Sequence, residues 1–100
     1  MEIDRLSSKI FSECLHTTFQ IADSSAKIEL VAVNEGVSSA RQESFSLLFH
    51  GPASPFLTQR TYAMEHERLG KIELFLVPVG QNAKGYEYEA VFNRLRKDAK

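Results

Sequence analysis

The chain has 100 residues, with 12 Lys plus Arg against 13 Asp plus Glu, and a formal net charge of −1. Hydrophobic residues make up 43% and charged residues 25%, the composition of one ordinary globular domain over residues 1–100. The even charge balance argues against nucleic-acid binding through a basic surface, and no apolar run approaches the ~20 residues of a membrane span.

The N-terminus, Met1 to Ser8, is polar and lacks the apolar core of a signal peptide. Ser7 is placed as a helix N-cap, with Leu6 and Phe11 spaced as a hydrophobic staple. Ile10, Phe11, Cys14 and Leu15 then form a short stripe at helical spacing, so a helix is predicted over 8–15. Cys14 is the single cysteine. It excludes an internal disulfide and fits a reducing compartment, so the expected location is cytoplasmic.

Strands are predicted over 17–22, 27–34, 43–50, 59–66, 71–79 and 85–93, from period-two alternation of apolar residues. The first places Phe19 and Ile21 on one face. A turn at Asp23–Ala26 follows. The second strand places Ile28, Leu30 and Ala32 together, with Val31 and Val33 opposite. A polar loop spans 35–42. The third strand turns Phe45, Leu47 and Phe49 inward, and Gly51–Pro55 breaks it. The fourth turns Tyr62 and Met64 inward. The fifth and sixth carry much of the apolar mass and are joined by the polar loop between Gly80 and Gly85. Ile72, Leu74 and Leu76 point one way in the fifth; Phe75, Val77 and Val79 point the other. Pro78 cannot donate to a ladder, so the strand is an edge or irregular there. The sixth sets Tyr86, Tyr88, Ala90 and Phe92 on one face, with Glu87 and Glu89 on the other. A basic tail closes the chain at 94–100.

Six short strands with turns every eight to twelve residues, and one short N-terminal helix, predict a mainly all-β fold. It is a small six-stranded antiparallel barrel or a two-sheet sandwich. The second face of the fifth strand needs a cover. The helix stripe is the favoured cover, because so short a helix is not stable alone. Another subunit or a partner protein is the alternative, which makes Phe75, Val77 and Val79 the expected interaction surface.

Few residues point to chemistry. His50 and His66 end the third and fourth strands and are the weak ligand-site candidates, but no spacing here matches a zinc signature. Glu87 and Glu89 lie ~7 Å apart along a strand, which reads as a solvated face. Cys14 with His16 has no geometry that would align a nucleophile with its base, and Cys14 reads as a small buried hydrophobe. The aromatics fall on predicted core faces. No catalytic residue, cofactor or metal site is assigned, and no enzymatic activity is expected.

The strings Leu48-Phe49-His50-Gly51-Pro52, Leu57-Thr58-Gln59, Tyr62, His66, Leu69-Gly70, Glu73 to Gly80 and Tyr88 to Asn93 occur in that order. This pattern resembles a family of small bacterial all-β domains of unknown function. Leu6-Ser7, Phe11 and Phe19 fit its usual beginning. The resemblance brings no activity, cofactor or catalytic residue. It implies an association with phage-tail-like or tail-collar components, and so an assembly or binding role. Two functions stand as expectations. The first is a non-enzymatic structural or protein-interaction module, as in a tail-like or secretion-related assembly, with a protein partner or a homo-oligomer and neither nucleic acid nor membrane. The second is a small-ligand-binding or hydrolytic barrel using His50 and His66 near the Gly51–Pro55 loop.

Overall fold

The computed structural model describes residues 7–36 and 42–95, with side chains described over 7–36 and 44–92. A helix, α1 (Ser8–Ser12), precedes six strands: β1 (Thr18–Ile21), β2 (Lys27–Glu35), β3 (Gln42–Pro52), β4 (Arg60–His66), β5 (Gly70–Asn82) and β6 (Gly85–Leu95). Ser7 caps α1 from an extended conformation, its Oγ accepting from Ile10 N at 3.3 Å. That satisfies one of the unpaired N–H groups of the first turn. The helix is shorter than the predicted 8–15. Cys14 N and Leu15 N continue in a turn onto Phe11 O and Ser12 O, and His16 bends the chain toward β1 with φ of 65°. Leu6 of the expected staple, residues 37–41 of the polar loop and residues 96–100 of the basic tail lie outside the described residues. None of the described helix is long and apolar enough to cross a membrane.

All strand pairings are antiparallel, in the order β1-β2-β3-β6-β5-β4, and β4 returns to β1 through Gln20↔Glu65 and Ile21↔Met64. The sheet is therefore a closed barrel and not a sandwich of two sheets. Closure removes the free edges that would otherwise template association. The longest seam, β3 with β6, runs from Gln42↔Leu95 to Pro52↔Gly85. β3 thus passes through Gly51 and Pro52, where a break was expected. Gly51 lets two side chains lie close over the strand: a Cβ there would meet the Tyr88 ring at 3.0 Å and Ile28 at 3.1 Å.

Two bulges change which residues face inward. In β2 the register shifts between Leu30↔Phe49 and Ala32↔Leu48, so Val33 rather than Ala32 comes opposite Leu47 and packs on the core. A one-residue insertion exchanges the faces beyond it. The predicted face of Ile28, Leu30 and Ala32 therefore holds only as far as Leu30. In β5 the shift falls between Pro78↔Tyr88 and Gly80↔Glu87, leaving Val79 as the extra residue. The proline without an N–H sits where the ladder is already interrupted.

The interior is filled by side chains. Phe19, Ile28, Leu30, Leu47, Phe49, Leu76 and Tyr88 are fully buried. Phe19 meets Phe49 edge-on, with centroids 5.2 Å apart. At one end Phe11 reaches down from α1 to Phe45 and Phe92, which stack on each other at 4.6 Å. At the end where β3 finishes, Leu57 is buried and its N–H donates to the Tyr88 hydroxyl at 2.9 Å. The helix packs on β2 and β3. It does not cover the outer face of β5, contrary to expectation. Its five residues span only ~7.5 Å, and its aromatic side chain, Phe11, is taken by the ring pair at the barrel end.

Candidate functional site

Along β5 the alternation that sends Ile72, Leu74 and Leu76 inward sends Lys71, Glu73, Phe75 and Val77 outward. Phe75 is 50% exposed and Val79, lifted by the bulge, is also 50% exposed. Val77 is half-buried and pairs with Glu89 of β6. Two residues beyond Glu89 on the same outward face stands Val91, 63% exposed. Phe75, Val77, Val79 and Val91 thus form one apolar row on the outside of adjoining strands. Thr61 flanks Phe75 from β4, and Ser46 flanks Val91 from β3. Beside Val91 lies a shallow depression of about 260 Å³, whose polar wall includes Asn34, Ser46 and Glu89. An apolar centre with a polar rim is the anatomy of a protein interface. Phe75, Val77 and Val79 were readable in sequence. Val91 was not, because only strand pairing brings it beside them.

His50 and His66 do not share a site. They lie on opposite sides of the barrel wall, with β2 and β1 between their strands. His50 is half-buried on the outer face, paired across to Glu29 and Glu87, and its Nε2 is 3.4 Å from Asn82 Oδ1. His66 is buried at the inward end of β4. Its Nδ1 accepts from the backbone N–H groups of Arg68 (3.0 Å) and Leu69 (3.1 Å). Because those donors carry fixed hydrogens, the imidazole proton must sit on Nε2, which lies 2.7 Å from Thr17 Oγ1. The ring also packs on Phe19 at 4.4 Å. Burial lowers the His66 pKa, with Glu67 opposing and Arg68 assisting. This histidine holds a turn. The signal available in sequence was its inward parity with Tyr62 and Met64.

A cleft of about 390 Å³ brings Cys14, Thr17 and His66 together under the Arg68–Glu13 ion pair. Sequence reading paired Cys14 with His16 instead, but His16 is exposed and turned toward Glu29 at 3.3 Å. Burial pushes the Cys14 thiol up, while Arg68 pulls it down. A thiol held protonated is a poor nucleophile, and both nitrogens of His66 are already engaged. Among the described residues no group of three His, Cys, Asp or Glu is arranged to hold a metal ion. Glu87 and Glu89 occupy the outer face of β6, half-buried, and Glu87 Oε1 lies over Gly80, 2.9 Å from where a Cβ would stand.

No curated protein and no solved structure matches the chain. A family model does match, across residues 6–92, which includes the strings from Leu48 to Phe92 and the Phe11 and Phe19 positions that carried the resemblance. With that share of its length matched, the chain belongs to the family described as a domain of unknown function, DUF6916.

Proposed function

We propose that this domain is a non-enzymatic protein-interaction module that docks through the outer face of β5 and β6. The observation that carries the reading is the row of Phe75, Val77, Val79 and Val91, left open on the outside of a closed barrel. A soluble domain has no folding use for a Phe and three Val side chains on one solvent face, and such a patch marks a contact surface. The filled interior supports the same reading, since core side chains such as Phe19, Leu47, Phe49, Leu76 and Tyr88 occupy the inside of the barrel. The rival, a hydrolytic or ligand-binding mouth built on His50 and His66, loses its support because the two side chains face opposite sides of the wall.

The occupant in this reading is another protein surface, from a second copy of the chain or from a different subunit. The setting in this reading is a phage-tail-like or secretion-related assembly; the family resemblance suggests the tail-like context, and the single Cys14 suggests the cytoplasm. Neither nucleic acid nor membrane enters the proposal, in keeping with the net charge of −1. A photo-crosslinking residue placed at Val91 in the producing cell tests it. The expected result is a discrete protein adduct that is absent when the crosslinker stands at Ser25 and is lost when Phe75→Lys is added. If Val91 yields no adduct beyond the Ser25 control and the purified chain sediments as a monomer at all concentrations, the reading fails.

A further inference from the structure

A second feature lies away from the β5–β6 face. Where β1 ends and β4 begins, the β1–β2 turn and the segment from Pro55 to Thr58 enclose a pocket of about 380 Å³. Arg60 is the first residue of β4 and has the same parity as Tyr62, Met64 and His66, which point inward. At the strand's start that direction leads over the mouth of the barrel. The Arg60 guanidinium lies 4.8 Å from the centroid of the Tyr62 ring. Tyr62 is itself buried and fixed, its hydroxyl donating to Thr58 O at 2.7 Å. Among the described residues the Arg60 guanidinium has no hydrogen bond and no ion pair. A guanidinium held over an aromatic ring and given no other partner keeps its fork of N–H donors for a planar anion.

The remaining walls narrow the ligand. Phe56 is 47% exposed, yet its ring is held edge-on against Tyr86 at 4.7 Å. An aromatic held in place at a pocket rim, with half its surface open, suits an apolar or aromatic group of modest size. Asp23 lines the opposite side, from the turn, with φ of 59°. Its charge opposes a multiply charged anion such as a phosphate, and tolerates one negative charge set on the far side against Arg60. We propose that this pocket binds a carboxylate carried on a small apolar or aromatic body, with Arg60 as the bidentate donor and Phe56 as the apolar wall. A free carboxylic acid and the C-terminal carboxylate of a peptide present this same chemistry.

Titration of the full-length ¹⁵N-labelled chain with four probes tests the assignment by amide chemical shifts. The probes are phenylacetate, N-acetylphenylalanine, N-acetylphenylalanine amide and phenyl phosphate. At least one of the two acids should produce saturable shifts at Asp23, Thr58 and Thr61, while the neutral amide produces none. Tighter binding of phenylacetate identifies a free acid as the ligand type, and tighter binding of N-acetylphenylalanine identifies a chain end. Arg60→Gln should weaken the better acid by ~10-fold or more, as expected for loss of a charge-assisted pair. Phe56→Ala should weaken it as well. Both positions are exposed, and an otherwise superimposable spectrum shows that each variant is folded. Three results overturn the proposal: no saturable shift with either acid, equal shifts with the amide, or an unchanged affinity in folded Arg60→Gln. Tighter binding of phenyl phosphate than of both acids overturns the carboxylate assignment.

Discussion

At the scale of single residues, two positions constrain the fold more than their side chains suggest. His66 is a hydrogen-bond hub. It accepts from Arg68 N and Leu69 N on one nitrogen and lies 2.7 Å from Thr17 Oγ1 on the other, and Thr17 in turn donates to Cys14 O. Protonation would put a hydrogen on Nδ1, facing two N–H groups that already point at it. The folded pKa is lowered, chiefly by burial, whereas the unfolded chain keeps an ordinary value near ~6.5. Below that value the unfolded state binds more protons, so this residue's contribution to stability is present above it and is lost as pH falls toward the folded value. Urea midpoints measured from pH 7.5 down to 5 should fall more steeply for the parent than for His66→Gln, which cannot titrate. Parallel slopes would show that His66 is not the titrating group. Gly85 is constrained by space. A Cβ there would overlap the Gly51 carbonyl oxygen and come within 2.9 Å of the Pro52 carbonyl carbon. Both neighbours are backbone in the paired strand and cannot swing aside. Gly85→Ala should therefore cost ~3 kcal/mol, the upper range for a strained backbone position. A loss under ~0.5 kcal/mol in urea denaturation would mean that β3 and β6 lie further apart at this rung.

At the scale of elements, α1 owes its place to one side chain. Five helical residues are far too few to persist on propensity. What fixes them is Phe11, fully buried against Phe45 and Phe92. Ser8 Oγ adds a hydrogen bond to Glu35 Oε1 at 2.8 Å, tying the first turn to the end of β2. Phe11→Ala should destabilise the whole domain by ~3–5 kcal/mol, read as a lower urea midpoint, because it empties the end of the barrel. A variant that melts with the parent would show that the Phe45–Phe92 pair closes this end by itself. The strands were largely legible in sequence because one face of each is buried, and burial writes a period of two. Phe19 and Ile21, Phe45 to Phe49, Tyr62 and Met64, and Tyr88 and Ala90 all face as their spacing implied. The bulges were not legible. Ala32 and Val33 are both acceptable inside, and only the curvature of a closing sheet selects which of them turns in. Pro78 was the one local signal, and it marked the right place. The β5–β6 turn was also tighter than its composition suggested. Asn82 Oδ1 accepts from Lys84 N and Gly85 N, so the ladder continues through Gln81 and Asn82 to a two-residue connection.

At the scale of the whole molecule, a closed barrel divides every strand into an inside and an outside, and β5 is where that division bears on the proposed docking face. The apolar character of both its faces was visible in sequence. Where its outer face leads was not, because the helix went to the barrel end and Val91 joined the row through the Val77↔Glu89 pairing. Adjacent residues of β5 should therefore behave very differently when truncated. Leu74 is buried between Ile72 and Leu76 on the inward face, while Phe75 is 50% exposed on the outward face. Leu74→Ala removes buried methyl groups from a filled interior and should cost ~2–5 kcal/mol. Phe75→Ala removes a larger side chain, yet should cost under ~1 kcal/mol, because little of its contact is with the core. Both can be read from urea denaturation of the isolated chain at low concentration, with an unchanged m-value showing that the unfolded reference is the same. Equal and large losses would mean that the outer face is covered within the monomer. The reverse order, with Phe75→Ala the costlier, would mean that β5 is slipped by one residue and its faces exchanged. The predicted order assigns the inward face of β5 to the folding of the barrel and leaves Phe75 to the docking face proposed above.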